Sequence, residues 1–299
     1  MRFVAVGLGL LAVTGCAQDS KWNFLRRTPD NARVAIETPT QAELVAYLNR
    51  NAQQIQSIQC PMVSMDTHVG RQQFNIPGKM VCDKPRNFRL IAETLGSQEA
   101  DIGSNPQEFW YYLKRNDPPA LVHCSYQDFE TGVRLPFPFQ PEWVMEALGL
   151  AEYNPADHYV LTQDAKTFAL VKEINYQGQR VQKVTKFSRA PSRVQVTDHI
   201  LLDAKGNPIC KAHIDEIANV GNVVLPRKIV LSYPAEKLTI KLKLFDSPSD
   251  VVVNRPIDNE QARALFTRPV YNGVRTVNLA NPYAASSEVR PAGGFLPQR

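Results

Sequence analysis

Three residues in this 299-residue chain have the side-chain types of a hydrolytic triad and lie close together in the sequence. They are His123, Ser125 and Asp128. His123 and Ser125 are two positions apart on a predicted strand, so their side chains share one face. The sequence around Ser125 lacks the G-x-S-x-G turn that exposes the nucleophile of α/β-hydrolases. We therefore expect no catalytic triad here and expect the chain not to be an enzyme.

Two histidines form the next candidate site, for a metal ion. If residues 205–207 form a three-residue hairpin loop, His199 and His213 face each other, with Asp198 and Asp215 nearby. Two histidines without a third positioned ligand are weak evidence for a metal, and an exposed cross-strand pair is the alternative. The sequence also lacks a P-loop and a G-x-G-x-x-G turn, so we expect neither a metal nor another cofactor.

Cys16 is the candidate for covalent modification. Arg2 is followed by an eleven-residue apolar run, Phe3–Val13, and then by Thr14, Gly15 and Cys16. A short apolar run that ends in small residues is typical of a secretory signal peptide. The cysteine directly after them resembles the lipobox of bacterial lipoproteins. We predict a signal peptide over 1–15, a lipid on Cys16 that binds a membrane, and a tether over 16–39. An ordinary signal peptide or a buried Cys16 is the alternative.

The remaining cysteines are candidates for a disulfide in an oxidising compartment. A hairpin loop at 70–72 would place Cys60 opposite Cys82, since residue 71 is their midpoint. This symmetry predicts a disulfide between Cys60 and Cys82. The alternative is that the two side chains act as small buried apolar groups.

The composition indicates a globular protein that does not bind nucleic acid. Hydrophobic residues make up 43% of the chain and charged residues 21%, which is ordinary for a folded domain. The 34 basic and 29 acidic residues leave an excess of only +5, too weak for a nucleic-acid-binding face. We expect a monomer.

Periodic patterns predict elements that are mostly strands. Lys237–Phe245 alternates strictly between apolar and polar residues, and Val194, Val196, Ile200 and Leu202 alternate similarly. A capping box at Thr40 predicts a helix to about Gln56. The expected fold is mainly β (α+β), a single curled antiparallel half-barrel of about eleven strands with a few covering helices.

A second helix is predicted between the strands. Pro141 suits its first position and Gly149 its C-terminal cap. Trp143, Ala147 and Leu148 share one face, which would lie over the open side of the sheet. Filling a core is an equally good explanation of that apolar face.

Several motifs, in order along the chain, resemble the LolA/LolB family of lipoprotein carriers and acceptors. The turn Leu95-Gly96-Ser97-Gln98-Glu99 resembles L-G-S-x-E of the LolB branch, as do Pro136-Phe137-Pro138, Trp143-Val144 and Leu148-Gly149-Leu150. Lys84-Pro85-Arg86-Asn87-Phe88, Phe109-Trp110-Tyr111-Tyr112 and the stretch from Leu265 to Val274 resemble the LolA branch. The resemblance covers roughly residues 40–278 and implies a half-barrel domain there, with a disordered tail over 279–299.

The resemblance also implies a function and a set of site residues. The half-barrel would bind the acyl chains of lipids or lipoproteins and take part in their transfer at the outer membrane, facing the periplasm, with a periplasmic carrier as a partner. Leu95 would contact the membrane, and Lys84 would control the lid in place of the family's arginine. A structural lipoprotein with a filled core and no ligand is the alternative. The predicted cavity lining comprises Phe88, Leu90, Trp110, Tyr112, Trp143 and Leu148.

Overall fold

The computed structural model of the chain describes residues 39–116, 118–133, 135, 140–190 and 193–281. The predicted signal peptide, Cys16, the tether up to residue 38 and the tail from residue 282 lie outside the described residues. Within the described ranges, no helix is both long and apolar enough to cross a membrane.

In the described part of the chain, fifteen strands form one open, curled sheet. The strands are β1 Ser57–Val69, β2 Gln72–Asp83, β3 Asn87–Thr94, β4 Ser97–Ser104, β5 Glu108–Leu113, β6 Ala120–Ser125, β7 Val160–Gln163, β8 Thr167–Tyr176, β9 Gln179–Ala190, β10 Arg193–Leu202, β11 Pro208–Val220, β12 Val223–Tyr233, β13 Leu238–Lys243, β14 Val252–Val253 and β15 Arg275–Asn278. The helices are α1 Gln41–Gln53, α2 Tyr126–Glu130, α3 Pro141–Ala147 and α4 Asn259–Phe266.

The strand order describes an open sheet, with β15 at one end and β7 at the other. It runs β15-β6-β5-β4-β3-β2-β1-β13-β12-β11-β10-β9-β8-β7, with β14 beside β1. Neighbours are antiparallel except β15, which lies parallel to β6. The mainly β fold with few helices is confirmed, but the predicted strand number is too small. Strands β7, β14 and β15 have two to four residues, too few for a readable alternation.

Both predicted helices form, and their caps are those that the sequence predicts. Thr40 and Glu43 make the reciprocal bonds of a capping box, although α1 ends at Gln53, before the predicted Gln56. In α3, Pro141 occupies the first turn, and Gly149 follows the C-cap with a φ of +79°. The Leu150 N–H donates to the Met145 carbonyl at 3.0 Å, which closes a Schellman motif. The start of α1 and both ends of α3 therefore agree with the capping residues in the sequence.

The two helices cover one face of the sheet, which we call the inner face. Val144 and Leu148 of α3 are buried there in the main core, with the buried apolar residues of β13, Leu238, Ile240 and Leu242. Leu44 and Val45 of α1 are buried in a second core that includes Phe168 and Phe187 of β8 and β9. The inner face is thus a packed core with helices over it.

A β-bulge corrects the predicted pattern of β10. Val196 pairs with Phe187 and Asp198 with Lys186, so Thr197 is an extra residue. An extra residue reverses which side chains face inward. Leu201 is buried as a result, whereas Ile200 and Leu202 are only half-buried. The predicted pairing of the two histidines is also wrong, because His213 lies opposite Asp198.

A shorter loop and a second bulge together overturn the predicted opposition of Cys60 and Cys82. Val69 pairs with Gln72, so the hairpin loop has two residues and not the three predicted at 70–72. The β1–β2 register shifts between Cys60 and Val63, so Cys60 pairs with Met80 and Cys82 pairs with Ile58. Both cysteines are buried as free thiols. Burial raises the pKa of Cys60 to about 12. In this structure the two residues therefore serve as small apolar groups of the core.

The chain after β14 crosses the opposite face of the sheet, which we call the outer face. This C-terminal strap, residues 254–281, includes α4 and β15. Arg89 of β3 donates from Nη1 to the carbonyls of Leu265 at 2.8 Å and Thr267 at 3.2 Å, and it pairs with the buried Asp101. Leu279, the residue after β15, packs against the main core.

Candidate functional site: a cavity beneath the covering helices

A cavity of about 240 Å³ lies between α1, α3 and strands β10 to β12. Its walls are mostly apolar, as a site for a hydrocarbon chain requires. Its exposed rim carries Arg50 and Gln54 of α1. The apolar lining includes Leu48, Ala147, Leu148, Val196, Ile214, Ile217, Val224 and Pro226.

Two asparagines of α1 hold the roof of this cavity. Asn51 donates to the Val224 carbonyl and accepts from the Val224 N–H, both at 3.0 Å. Asn49 makes the same pair of bonds with the backbone of Tyr153, both at 2.7 Å. Each amide thus ties α1 to a backbone segment, one in β12 and one just after α3.

A buried polar cluster forms part of the cavity wall and was not anticipated from the sequence. Tyr153 donates from its hydroxyl to Glu146 Oε1 at 2.6 Å, and Lys183 Nζ lies 2.7 Å from Glu146 Oε2. His199 Nδ1 is 3.4 Å from Glu146 Oε1, and Thr185 Oγ1 is 3.0 Å from the Tyr153 hydroxyl. We call Glu146, Tyr153, Lys183, Thr185 and His199 the polar cluster. The one signal for it in the sequence is a glutamate within the apolar run of α3.

Opposing effects act on the Glu146 carboxyl. Burial alone would raise its pKa, but the Lys183 ammonium and the bonds from His199 and Lys183 hold the pKa well below its ordinary value of 4.5. The carboxylate is therefore ionised at neutral pH. Burial and the adjacent Glu146 charge raise the pKa of Tyr153 well above its ordinary value, so its hydroxyl keeps the proton that it donates.

The residues of the predicted cavity lining lie in different parts of the structure. Leu148 lines the 240 Å³ cavity. Trp143 lines a neighbouring cavity of about 60 Å³, with its ring centroid 5.6 Å from that of Tyr176. Leu90 lines a separate apolar cavity of about 90 Å³ with Ile240 and Leu242. Phe88 is fully buried in the main core.

Trp110 and Tyr112 lie apart from the other residues of the predicted lining, on the outer face of the sheet. Strand alternation places Phe109 and Tyr111 in the main core, whereas Trp110 and Tyr112 form a separate outer-face cluster with Leu121. Tyr271 of the strap stacks on Tyr112, with ring centroids 4.9 Å apart. Trp110 lies against Gly103, where a Cβ would collide with the indole.

Leu95 lies at the tip of the β3–β4 hairpin, where Thr94 pairs with Ser97. Its side chain is fully exposed, and its φ is +51°. Leucine rarely adopts this left-handed conformation. The fold therefore gains no core contact from this side chain.

Lys84 lies where α1 meets the segment after α3. Its ammonium donates to the Ala52 carbonyl at 2.7 Å and to Glu152 Oε1 at 3.1 Å. The side chain is only 14% exposed. Lys84 thus joins the end of one covering helix to the chain that follows the other.

The residues considered for catalysis do not assemble into a triad. Ser125 donates to Asp128 Oδ2 at 2.6 Å and caps α2. His123 Nδ1 instead lies 2.9 Å from Glu108 Oε2. Within the described ranges, no group of three or more His, Cys, Asp or Glu residues could hold a metal ion.

Comparisons with known proteins give matches only at the level of solved structures. The sequence matches no family model and no curated protein. A DUF1329 family protein from Desulfovibrio piger is 10% identical, with a TM-score of 0.43 over 75% of this chain and 97% of that chain. A LolA superfamily protein from Nitrosomonas europaea is 12% identical, with a TM-score of 0.47 over 74% and 97%. A domain from Vibrio parahaemolyticus described as a putative outer membrane lipoprotein-sorting protein is 9% identical, with a TM-score of 0.44 over 75% and 97%.

Proposed function

We propose that this chain is a membrane-anchored envelope lipoprotein whose inner-face cavity binds lipid acyl chains. It takes part in lipid or lipoprotein transfer at the outer membrane, facing the periplasm. The observation that carries this proposal is the apolar cavity of about 240 Å³ beneath α1 and α3. Burying hydrocarbon in such a cavity is favourable because it removes apolar surface from water.

The contacts of α1 support its role as a lid. Asn49, Asn51 and Lys84 attach it through a few polar bonds around the cavity. Polar bonds exchange with water at small net cost, about 1 kcal/mol each. In this proposal the C-terminal end of α1 moves away to admit a chain, while Leu44 and Val45 stay in the second core. Lys84 controls the movement by holding Ala52.

The anchor and the exposed leucine complete the proposal. A lipid on Cys16 and the predicted tether of about 22 residues would let the domain reach ~25 Å from the bilayer. Leu95 would then enter the interface and orient the domain. In this proposal the protein acts as a monomer, without catalysis or a cofactor, and exchanges cargo with a periplasmic carrier.

A structural lipoprotein with a filled core is the second candidate. The cavity of about 240 Å³ is slightly smaller than the roughly 300–1,000 Å³ typical of ligand sites. Phe88, one of the predicted lining residues, is also fully buried in the main core.

Native mass spectrometry of the mature protein tests the proposal. We expect co-purifying lipid, and we expect Leu48→Trp to reduce it severalfold, because the indole would occupy the cavity that Leu48 lines. Ala46→Trp is the matched control, since Ala46 is exposed on the same helix. Absence of lipid in the wild-type protein, together with no displacement of Nile red by fatty acids, would favour the structural candidate.

A further inference from the structure

The polar cluster lies where three cavities meet. Glu146 and His199 line both the 240 Å³ cavity and the 60 Å³ cavity beside Trp143. Tyr153 lines the 240 Å³ cavity and another of about 60 Å³, and Lys183 lines both smaller ones. Burying polar groups is costly unless they are bonded. A bare hydrocarbon chain would gain nothing from them, so their position indicates a ligand that has a polar group of its own.

The hydrogen bonds of the cluster fix which nitrogen of His199 carries the proton. The Tyr153 hydroxyl gives its single proton to Glu146, so it accepts from its other neighbours. His199 Nδ1 is 3.4 Å from both this hydroxyl and the Glu146 carboxylate, and both of these oxygens accept there. Nδ1 therefore carries a proton, and in the neutral imidazole Nε2 is then the acceptor. None of the described residues bonds to Nε2.

The charges of the cluster exclude an ionic head group. Glu146 is matched by Lys183 at 2.7 Å. A ligand carboxylate placed here would make two anions share one ammonium, and a ligand ammonium would compete with Lys183 for one carboxylate. Uncompensated charge at a buried position is strongly unfavourable. The head group that fits is uncharged and donates one hydrogen bond.

We infer that the polar cluster is a head-group subsite for a single-chain amphiphile with an alcohol or amide N–H head. The head donates to His199 Nε2, and the chain lies along Leu48, Leu148 and Val196 toward the rim at Arg50. This inference rests on the proposed acyl-binding function and adds to it the class and direction of the ligand.

Chain-matched ligands test the inference on the wild-type protein. Decanol, decyl methyl ether and decanoate are each used to displace Nile red at neutral pH. We expect decanol to bind about fivefold to tenfold more tightly than the ether, which has no donor, because one hydrogen bond separates them. Decanoate should bind more weakly than decanol.

The variant His199→Phe should reduce the ratio of decanol to ether affinity to about one. His213→Phe is the matched control and should keep the wild-type ratio, since His213 bonds Asp198. Equal affinity for decanol and the ether in the wild-type protein would overturn the inference and leave the proposed function standing. Tightest binding of decanoate would also overturn it. If none of the three ligands displaces Nile red, the proposed function fails as well.

Discussion

Leu95 combines two unfavourable properties at a single position. Its φ of +51° begins a two-residue turn that Gly96 completes at +75°, and this conformation suits asparagine followed by glycine. Its side chain also presents its full apolar surface to water. Asparagine would satisfy the turn better, so the turn itself gives no reason for a leucine here, which agrees with the proposed membrane contact.

The first prediction concerns the stability of this turn. Leu95→Asn should raise the free energy of unfolding by about 1 kcal/mol, because asparagine tolerates a positive φ. Urea unfolding of the two proteins measures the difference. Destabilisation instead would show that Leu95 makes a contact that its full exposure does not reveal.

The second prediction concerns membrane transfer. Leu95→Glu should leave folding and acyl-chain binding intact but slow ligand transfer to vesicles severalfold, since burying a leucine contributes ~1.5–3 kcal/mol. Met62→Glu is the matched control, because Met62 is another exposed apolar side chain, in β1. Equal slowing by both variants would assign the effect to added negative charge.

At the scale of elements, helix caps and strands with one apolar and one polar face were predictable from the sequence. The capping box at Thr40, the Pro141 and Gly149 ends of α3 and the alternation of β13 are local signals that the structure keeps. Bulges were not predictable. The extra residue at Thr197 gives no local sign, yet it reverses every inward position after it.

The outer-face aromatics show a second limit of sequence patterns. In β5, Phe109, Trp110, Tyr111 and Tyr112 are all buried. Alternation indicates an inner face only when the other face is polar, and here the strap covers the other face. The cavity site was equally hidden, because Glu146 comes from α3, whereas Lys183 and His199 come from two later strands, β9 and β10.

The third prediction concerns the attachment of α3. Glu146→Gln should cost about 3 kcal/mol of stability at neutral pH, because it leaves Lys183 without its buried partner. The folded pKa of Glu146 lies below 4.5, so its contribution is present above that pH and is lost as the pH falls further. The difference in the free energy of unfolding between the variant and the wild-type protein should therefore become smaller below about pH 4.5.

Urea unfolding of the Glu146→Gln variant and the wild-type protein, from neutral to acidic pH, measures how this difference in the free energy of unfolding changes. Glu216→Gln is the control, since Glu216 pairs with Lys228 at a partly exposed position and should matter little. A constant difference across the pH range would contradict the assignment of the charge to Glu146.

At the scale of the whole molecule, the fourth prediction concerns the anchor. Cys16→Ser should leave the protein unacylated and soluble, because the lipid is its proposed attachment to the membrane. Detergent partitioning and intact-mass measurement check this outcome. A variant that still fractionates with membranes would reveal another means of attachment.

The C-terminal strap also sets an order of events during synthesis. Ribosomes make the chain from the N-terminus, so strands β1 to β6 exist before residues 254–281 do. Until the strap arrives, Trp110, Tyr112 and Leu121 lack Tyr271 and Val274 over them. Before the strap is made, the chain therefore exposes these aromatic side chains to water. The exposure ends when the strap covers them and Arg89 bonds to the carbonyls of Leu265 and Thr267.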